Sequence, residues 1–198
     1  MRIIVWNLKG GQGKTFLSLN IALMQGMYIV TNDARSPIDQ TLGEDRALRL
    51  SPRDSLPDVP ADIPLIYDFG GYADSRVIDA AKTADHVLIP FIYESDYEMQ
   101  VTIDAIAEIE RYNQNITIIL NKAKTGDFER AEAVLREFYT YPILEVKPST
   151  AFIQAVKQKK SMQQLIEESP LFSFHYSKPL AQLRAIIDRI SQPYTVTA

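Results

Sequence analysis

The sequence predicts an α/β fold, in three layers, with a mostly parallel central sheet flanked by helices. Three observations carry this. Short apolar runs alternate with amphipathic stretches almost from end to end. The strand-like runs are apolar at consecutive positions, as strands covered on both faces must be. The chain has 198 residues, 46% of them hydrophobic, which is enough for one domain with a sizeable core and argues against disorder.

Taken in order, Ile3 to Trp6 reads as a buried strand and Thr15 to Gln25 as a helix, with a glycine-rich turn between them. Met27 to Val30 is a second strand. Arg49 to Pro64 is rich in proline and aspartate and reads as a loop. Further strands are expected at Ile63 to Tyr67, Val87 to Ile92, Ile116 to Leu120 and Ile143 to Val146. Helical spacing of apolar residues marks Asp96 to Tyr112, Asp127 to Tyr139, Thr150 to Val156 and Pro179 to Ile190. No repeat, low-complexity segment or linker interrupts the series. One domain over 1–198 is expected, with residues 192–198 frayed.

Composition narrows the function classes. The chain has no cysteine, so disulfides, thiolate metal sites and a cysteine nucleophile are excluded. Net charge is −4, so any nucleic-acid contact must come from a local basic patch. No apolar run approaches the ~20 residues of a membrane span, and Met1 leads straight into the first strand without a signal peptide. A cytoplasmic location is expected. His86 and His175 lack metal-ligand spacing and read as structural.

The segment Lys9-Gly10-Gly11-Gln12-Gly13-Lys14-Thr15 lies between the first strand and the first helix. Gly13-Lys14-Thr15 matches the end of the common phosphate-loop pattern, but Leu8 stands where that pattern has its first glycine. Glycines allow a tight turn that aims backbone N–H groups at phosphate oxygens, and the helix adds its positive end. Residues Gly10 to Phe16 are therefore assigned to nucleotide binding. Lys14 can reach the β- and γ-phosphates, and the Thr15 hydroxyl can ligate Mg²⁺. The fold expected is that of a P-loop nucleotide hydrolase.

The second lysine, Lys9, is not needed to cradle phosphate. A loop with two lysines in this order resembles the deviant Walker A motif of the ParA/MinD family of ATPases. The resemblance implies that Lys9 crosses a dimer interface to the partner's nucleotide, where other hydrolases use an arginine finger. Without that resemblance Lys9 is simply a surface lysine near phosphate.

Two acidic positions follow. The family usually has Asp-x-Asp-Pro-Gln after its second strand; here the segment is Thr31-Asn32-Asp33-Ala34-Arg35. By resemblance Asp33 orients the attacking water and approaches the metal. On its own it has a helix cap as the lesser alternative. Thr31 removes a carboxylate from the outer shell of magnesium, and Arg35 is a new cation that can reach phosphate or a partner. Leu65-Ile66-Tyr67-Asp68-Phe69-Gly70-Gly71 resembles a Walker B strand and switch loop. Asp68 is placed on the hydration shell of Mg²⁺, and the Gly71 N–H on the γ-phosphate. Relatives more often carry proline near this point, so the glycine pair is expected to loosen the switch.

Asn121-Lys122 ends a strand where related folds contact the base; Lys124, instead of aspartate, favours ATP over GTP. Pro148 is expected to pack on adenine. Lys157, Lys159, Lys160, Arg184 and Arg189 form the candidate basic surface for DNA phosphates. The C-terminal apolar stripe lacks the basic cluster of a membrane-binding helix and reads as core. No helix-turn-helix precedes the phosphate loop, so operator binding is not expected.

The resemblance implies a slow ATPase with ATP and Mg²⁺ as cofactors. It would form an ATP-dependent homodimer on nonspecific DNA, at the nucleoid. A centromere-binding adaptor would stimulate it, and the outcome would be partition of plasmid or chromosomal DNA. A small-molecule ligase or kinase resembling dethiobiotin synthetase is the alternative from another class. An accessory factor of conjugation or polar localisation with weak hydrolysis is a third.

Overall fold

A computed structural model describes residues 1–71 and 74–192, the side chains of Asp96 and Glu98 excepted. The expected fraying of 192–198 therefore lies, beyond Gln192, outside the described residues. Among them seven strands form one sheet: β1 (Arg2–Val5), β2 (Tyr28–Thr31), β3 (Ala47–Arg49), β4 (Leu65–Asp68), β5 (His86–Phe91), β6 (Ile116–Asn121) and β7 (Ile143–Val146). Their order is β3-β2-β4-β1-β5-β6-β7, and every pairing is parallel.

Successive residues of a strand face opposite sides, so each strand feeds two cores. Ile4, Val87 and Ile118 pack beneath α3 (Arg76–Thr83), α4 (Asp96–Ile109) and α5 (Asp127–Leu135), through Val77, Ile106 and Leu135. Ile3, Val5, Leu88 and Ile119 face α1 (Lys14–Gln25), α2 (Ile38–Leu42), α6 (Thr150–Gln158), α7 (Met162–Glu168) and α8 (Pro170–Ser191). The expected C-terminal stripe of Leu180, Leu183, Ile186, Ile187 and Ile190 is buried in this second core. No described helix is long and apolar enough to cross a membrane.

Several elements exceed the sequence reading. β3 is a three-residue edge strand whose Leu48 is exposed, so it carries no burial pattern. α2, α3 and α7 are too short to show periodicity clearly. α8 begins at Pro170, not Pro179: proline suits the first turn, and here the helix also runs through a second, buried proline. His86 is fully buried, with Nε2 at 2.8 Å from Thr117 Oγ1, and burial pushes its pKa down to about 4. It is structural, as expected.

The parallel arrangement decides where a site can form. All strands point the same way, so the segments following β1, β2, β4, β5, β6 and β7 meet at one edge. The chain also reverses direction across the sheet at β1, since β2 lies to one side and β5 to the other. Ligands in open α/β sheets bind in the crevice at such a point.

Candidate nucleotide site

The loop after β1 is shaped by two left-handed glycines, Gly11 (φ 78°) and Gly13 (φ 84°), the latter capping α1. A side chain at Gly13 would also strike the Asn121 amide. Three amides brace the loop. Asn7 Oδ1 accepts the Lys9 N–H at 3.0 Å, while its Nδ2 donates to the Pro90 carbonyl at 3.1 Å. Gln12 Oε1 accepts the Ile92 N–H at 2.5 Å, and Asn121 Nδ2 donates to the Gln12 carbonyl at 2.9 Å. The loop is thus held from β5 and β6 and opens the N-terminus of α1 toward the crevice.

A cavity of about 770 Å³ occupies that crevice, a size typical of small-molecule sites. It is lined by Gly10, Gly11, Gln12, Gly13, Lys14, Thr15, Phe16, Asp33, Gly71, Asn121, Lys122 and Pro148, so the structure brings together every residue assigned from sequence to nucleotide contact. Val146, Phe152 and Ile153 add apolar wall beside Pro148. Asn121 spends one N–H on the loop and one lone pair on the Lys122 N–H (3.0 Å); it retains one of each.

Lys14 is buried and folds back onto its own loop, donating to the Lys9 carbonyl at 2.8 Å and the Asn7 carbonyl at 3.4 Å. Desolvation lowers its pKa, and the charges of Asp68 and Asp33 oppose that shift. Lys9 does not line the cavity. Its Nζ lies outside, 3.8 Å from Glu94 Oε2.

Asp68 is buried at the end of β4. Burial raises its pKa to about 6, against the opposing pull of the Thr15 and Ser18 hydroxyls and Lys14. Ser18 Oγ donates to Oδ1 at 3.1 Å, whereas Oδ2 has no hydrogen-bond partner among the described residues. An orphaned buried carboxylate oxygen beside a threonine hydroxyl fits hydrated Mg²⁺, which takes few protein ligands and keeps its waters. Among the described residues no cluster of three acidic or histidine side chains forms a dedicated metal cage. Ser18 escaped the sequence reading; its position one turn after Thr15 on α1 is the signal that could have found it.

Asp33 is not a helix cap. α2 begins at Ile38, and Asp33 Oδ1 instead accepts the Arg35 N–H at 2.9 Å, a local turn that leaves the carboxylate on the cavity wall. The Thr31 hydroxyl donates to the Asp68 carbonyl at 2.7 Å, which a carboxylate could not do, and accepts the Asp33 N–H at 3.1 Å, tying the two acidic loops together. Arg35 lines a second cavity beside Asp33 with Arg49.

The glycine pair, expected to loosen the switch, is fastened at two points. The Gly70 N–H donates to Asn32 Oδ1 at 2.7 Å. A Cβ on Gly71 would collide with Gly10 N and lie 2.5 Å from Lys9 C, so this residue is pressed on the phosphate loop. Asn32 was not singled out from sequence, because its partners are distant in the chain.

The basic surface is thinner than expected. Lys160 pairs with Glu168 at 2.6 Å, and Arg184 donates to Gln163 at 2.6 Å. Arg189 is half-buried and its charge bears on His86. Lys157 and Lys159 are exposed.

No family model and no curated protein matches the chain. Solved structures do. An ATP complex of a Cyanothece McdA variant is 14% identical, with 99% of this chain and 98% of that chain covered, at a TM-score of 0.67. The MinD cell division protein of Aquifex aeolicus is 15% identical over 100% and 99%, at 0.59. A putative plasmid partition protein of Borrelia burgdorferi B31 bound to AMPPNP is 13% identical over 80% and 90%, at 0.58. At these identities the likeness establishes the fold, and the fold is the one expected from sequence.

Proposed function

We propose that this chain is a ParA/MinD-type ATPase that binds Mg-ATP, closes into a homodimer and positions plasmid or chromosomal DNA. One observation carries the reading: the loop's two lysines part company. Lys14 lines the cavity, while Lys9 does not and has its Nζ 3.8 Å from Glu94 Oε2. A lysine so placed can serve a nucleotide held by a second copy facing the loop.

The chemistry assigned to the residues follows their positions. Lys14 exchanges two neutral carbonyls for phosphate oxygens, a stronger charge-assisted contact. The α1 N-terminus and loop N–H groups bind the remaining phosphate charge. Thr15 and Asp68 would hold the metal, with Asp33 near it, and Mg²⁺ would supply neutralisation of phosphate charge there. Asp33 accepts a hydrogen bond from water and orients it. The wall of Val146, Pro148 and Phe152 packs on the base. No arginine is among the residues lining the site, so slow turnover raised by a centromere-binding adaptor is proposed. DNA contact, through Lys157 and Lys159 with Lys160, Arg184 and Arg189 as weaker candidates, would be nonspecific and fall steeply with salt.

The test is ATPase rate and sedimentation with ATP, with and without nonspecific DNA. Expected are ATP-dependent dimers and DNA-dependent turnover. Lys9→Ala should bind ATP as the wild type does yet stay monomeric. A wild type that remains monomeric with ATP would overturn the reading. Turnover that instead needs a small carboxylate acceptor would replace it with a ligase, and binding without hydrolysis with an accessory factor.

Gly71→Ala tests the switch. The added methyl must displace the loop, and misplacing a reacting contact by about 1 Å can cost about a hundredfold in rate. We expect a loss of turnover on that order, and a weaker nucleotide affinity because the displaced atoms are phosphate-loop backbone, as measured by steady-state hydrolysis and equilibrium binding.

A further inference from the structure

The switch loop is tethered by a relay of side chains. Asn32, just beyond β2, is buried. Its Oδ1 accepts the Gly70 N–H at 2.7 Å, and its Nδ2 donates to Asp74 Oδ2 at 2.6 Å. The partners fix the amide's orientation: an N–H must meet oxygen, and a carboxylate must meet N–H. Asp74 forms a bidentate pair with Arg76, through Nε at 2.9 Å to Oδ1 and Nη2 at 2.7 Å to Oδ2. Both side chains are nearly buried. Arg76 Nη1 then donates to the carbonyls of Ser51 and Asp54, each at 2.9 Å, in the loop after β3.

A proline at position 70 would have no N–H to give. Asn32 finds its donor because residue 70 is not proline. Where proline would stiffen a loop through its ring, this chain stiffens it by a hydrogen bond that can open.

We infer that Asn32 is a positioning residue, holding Gly70 so that Gly71 faces the phosphates and coupling the switch, through Asp74 and Arg76, to the 51–54 loop. The kinetic part rests on the proposed ATPase reading; the mechanical part does not. If Gly71 moves when the γ-phosphate departs, the 51–54 loop is released with it, which carries the nucleotide state to a loop that does not itself line the nucleotide cavity. A relay of satisfied hydrogen bonds with two discrete arrangements is the physical requirement for such coupling.

The experiment is amide hydrogen exchange on the nucleotide-free full chain, with ATP binding and turnover measured beside it. In Asn32→Ala, exchange at Gly70 and at residues 51–55 should speed together by up to about tenfold, the loss expected for one buried neutral hydrogen bond. Nucleotide affinity should stay within about threefold, because the phosphate loop is untouched, while kcat falls at least about tenfold. Arg76→Gln, remote from the cavity, should speed exchange at Gly70 as well. Unchanged exchange at Gly70 in Arg76→Gln would overturn the relay. Faster exchange in Asn32→Ala with unchanged kcat would overturn the positioning role. A wild type that binds no ATP would sink the proposed function and leave the relay to be judged by exchange alone.

Discussion

Lys14→Ala should raise the dissociation constant for ATP at least about a hundredfold, a loss of about 2.7 kcal/mol. The ammonium sits buried between the carbonyls of Lys9 and Asn7, close enough to Asp68 and Asp33 for their charges to act on it. Without it the phosphates would enter a crevice with two carboxylates and no Lys14 to oppose them. Truncating one partner of a buried charge pair typically costs about 2–5 kcal/mol or more, so a hundredfold loss lies at the lower end of that range. The nucleotide-free protein should suffer too. Removing Lys14 leaves Asp68 buried without the cation that draws its pKa down, so the variant should melt below the wild type at neutral pH. Isothermal titration and thermal unfolding on the same preparation check both halves. An affinity equal to the wild type's would remove Lys14 from the site.

Asp68→Asn is expected to act in opposite directions on stability and function. The folded protein holds the Asp68 proton more tightly than the unfolded chain does, with a pKa of about 6 against 3.8. Its contribution to stability is therefore full below about pH 3.8 and is lost as pH rises through about 6. The loss is at most about 3 kcal/mol, from about 1.36 kcal/mol per pH unit. Asparagine has no such titration and keeps an oxygen for the Ser18 hydroxyl. Without nucleotide, the variant should thus gain stability over the wild type progressively between about pH 4 and 7, as read from denaturant midpoints. It should also lose the strengthening of ATP binding by Mg²⁺, since the orphaned Oδ2 is the oxygen that fits the metal's hydration shell. Equal pH profiles would mean that Asp68 is not desolvated in solution. An unchanged Mg²⁺ dependence would place the metal elsewhere.

Taken together, the two substitutions separate the charges that hold phosphate from the charge that holds metal. Both residues carry a desolvation cost in the empty protein, and this is the usual trade of stability for a prepared site.

The layered α/β architecture is legible in the chain itself, because strands buried on both faces must be apolar at every position and helices at every third or fourth. So is the nucleotide loop, where the glycines, Lys14 and Thr15 are neighbours in the chain and their geometry is local. Short elements escape such reading: β3 and α3 span too few residues to show a period, and Pro170 and Pro179 give the same signal at a helix start and inside one. Only in three dimensions does it emerge how the loops that meet at the sheet edge grip one another. Thr31 on the Asp68 carbonyl, Asn121 on Gln12, Ser18 on Asp68 and Asn32 on Gly70 join residues 37, 109, 50 and 38 positions apart. A hydrogen bond depends on atoms within about 3 Å, and separation along the chain says nothing of that distance until the sheet has set it. For this reason Thr31 and the glycine pair read as losses in the sequence and as fastenings in the fold.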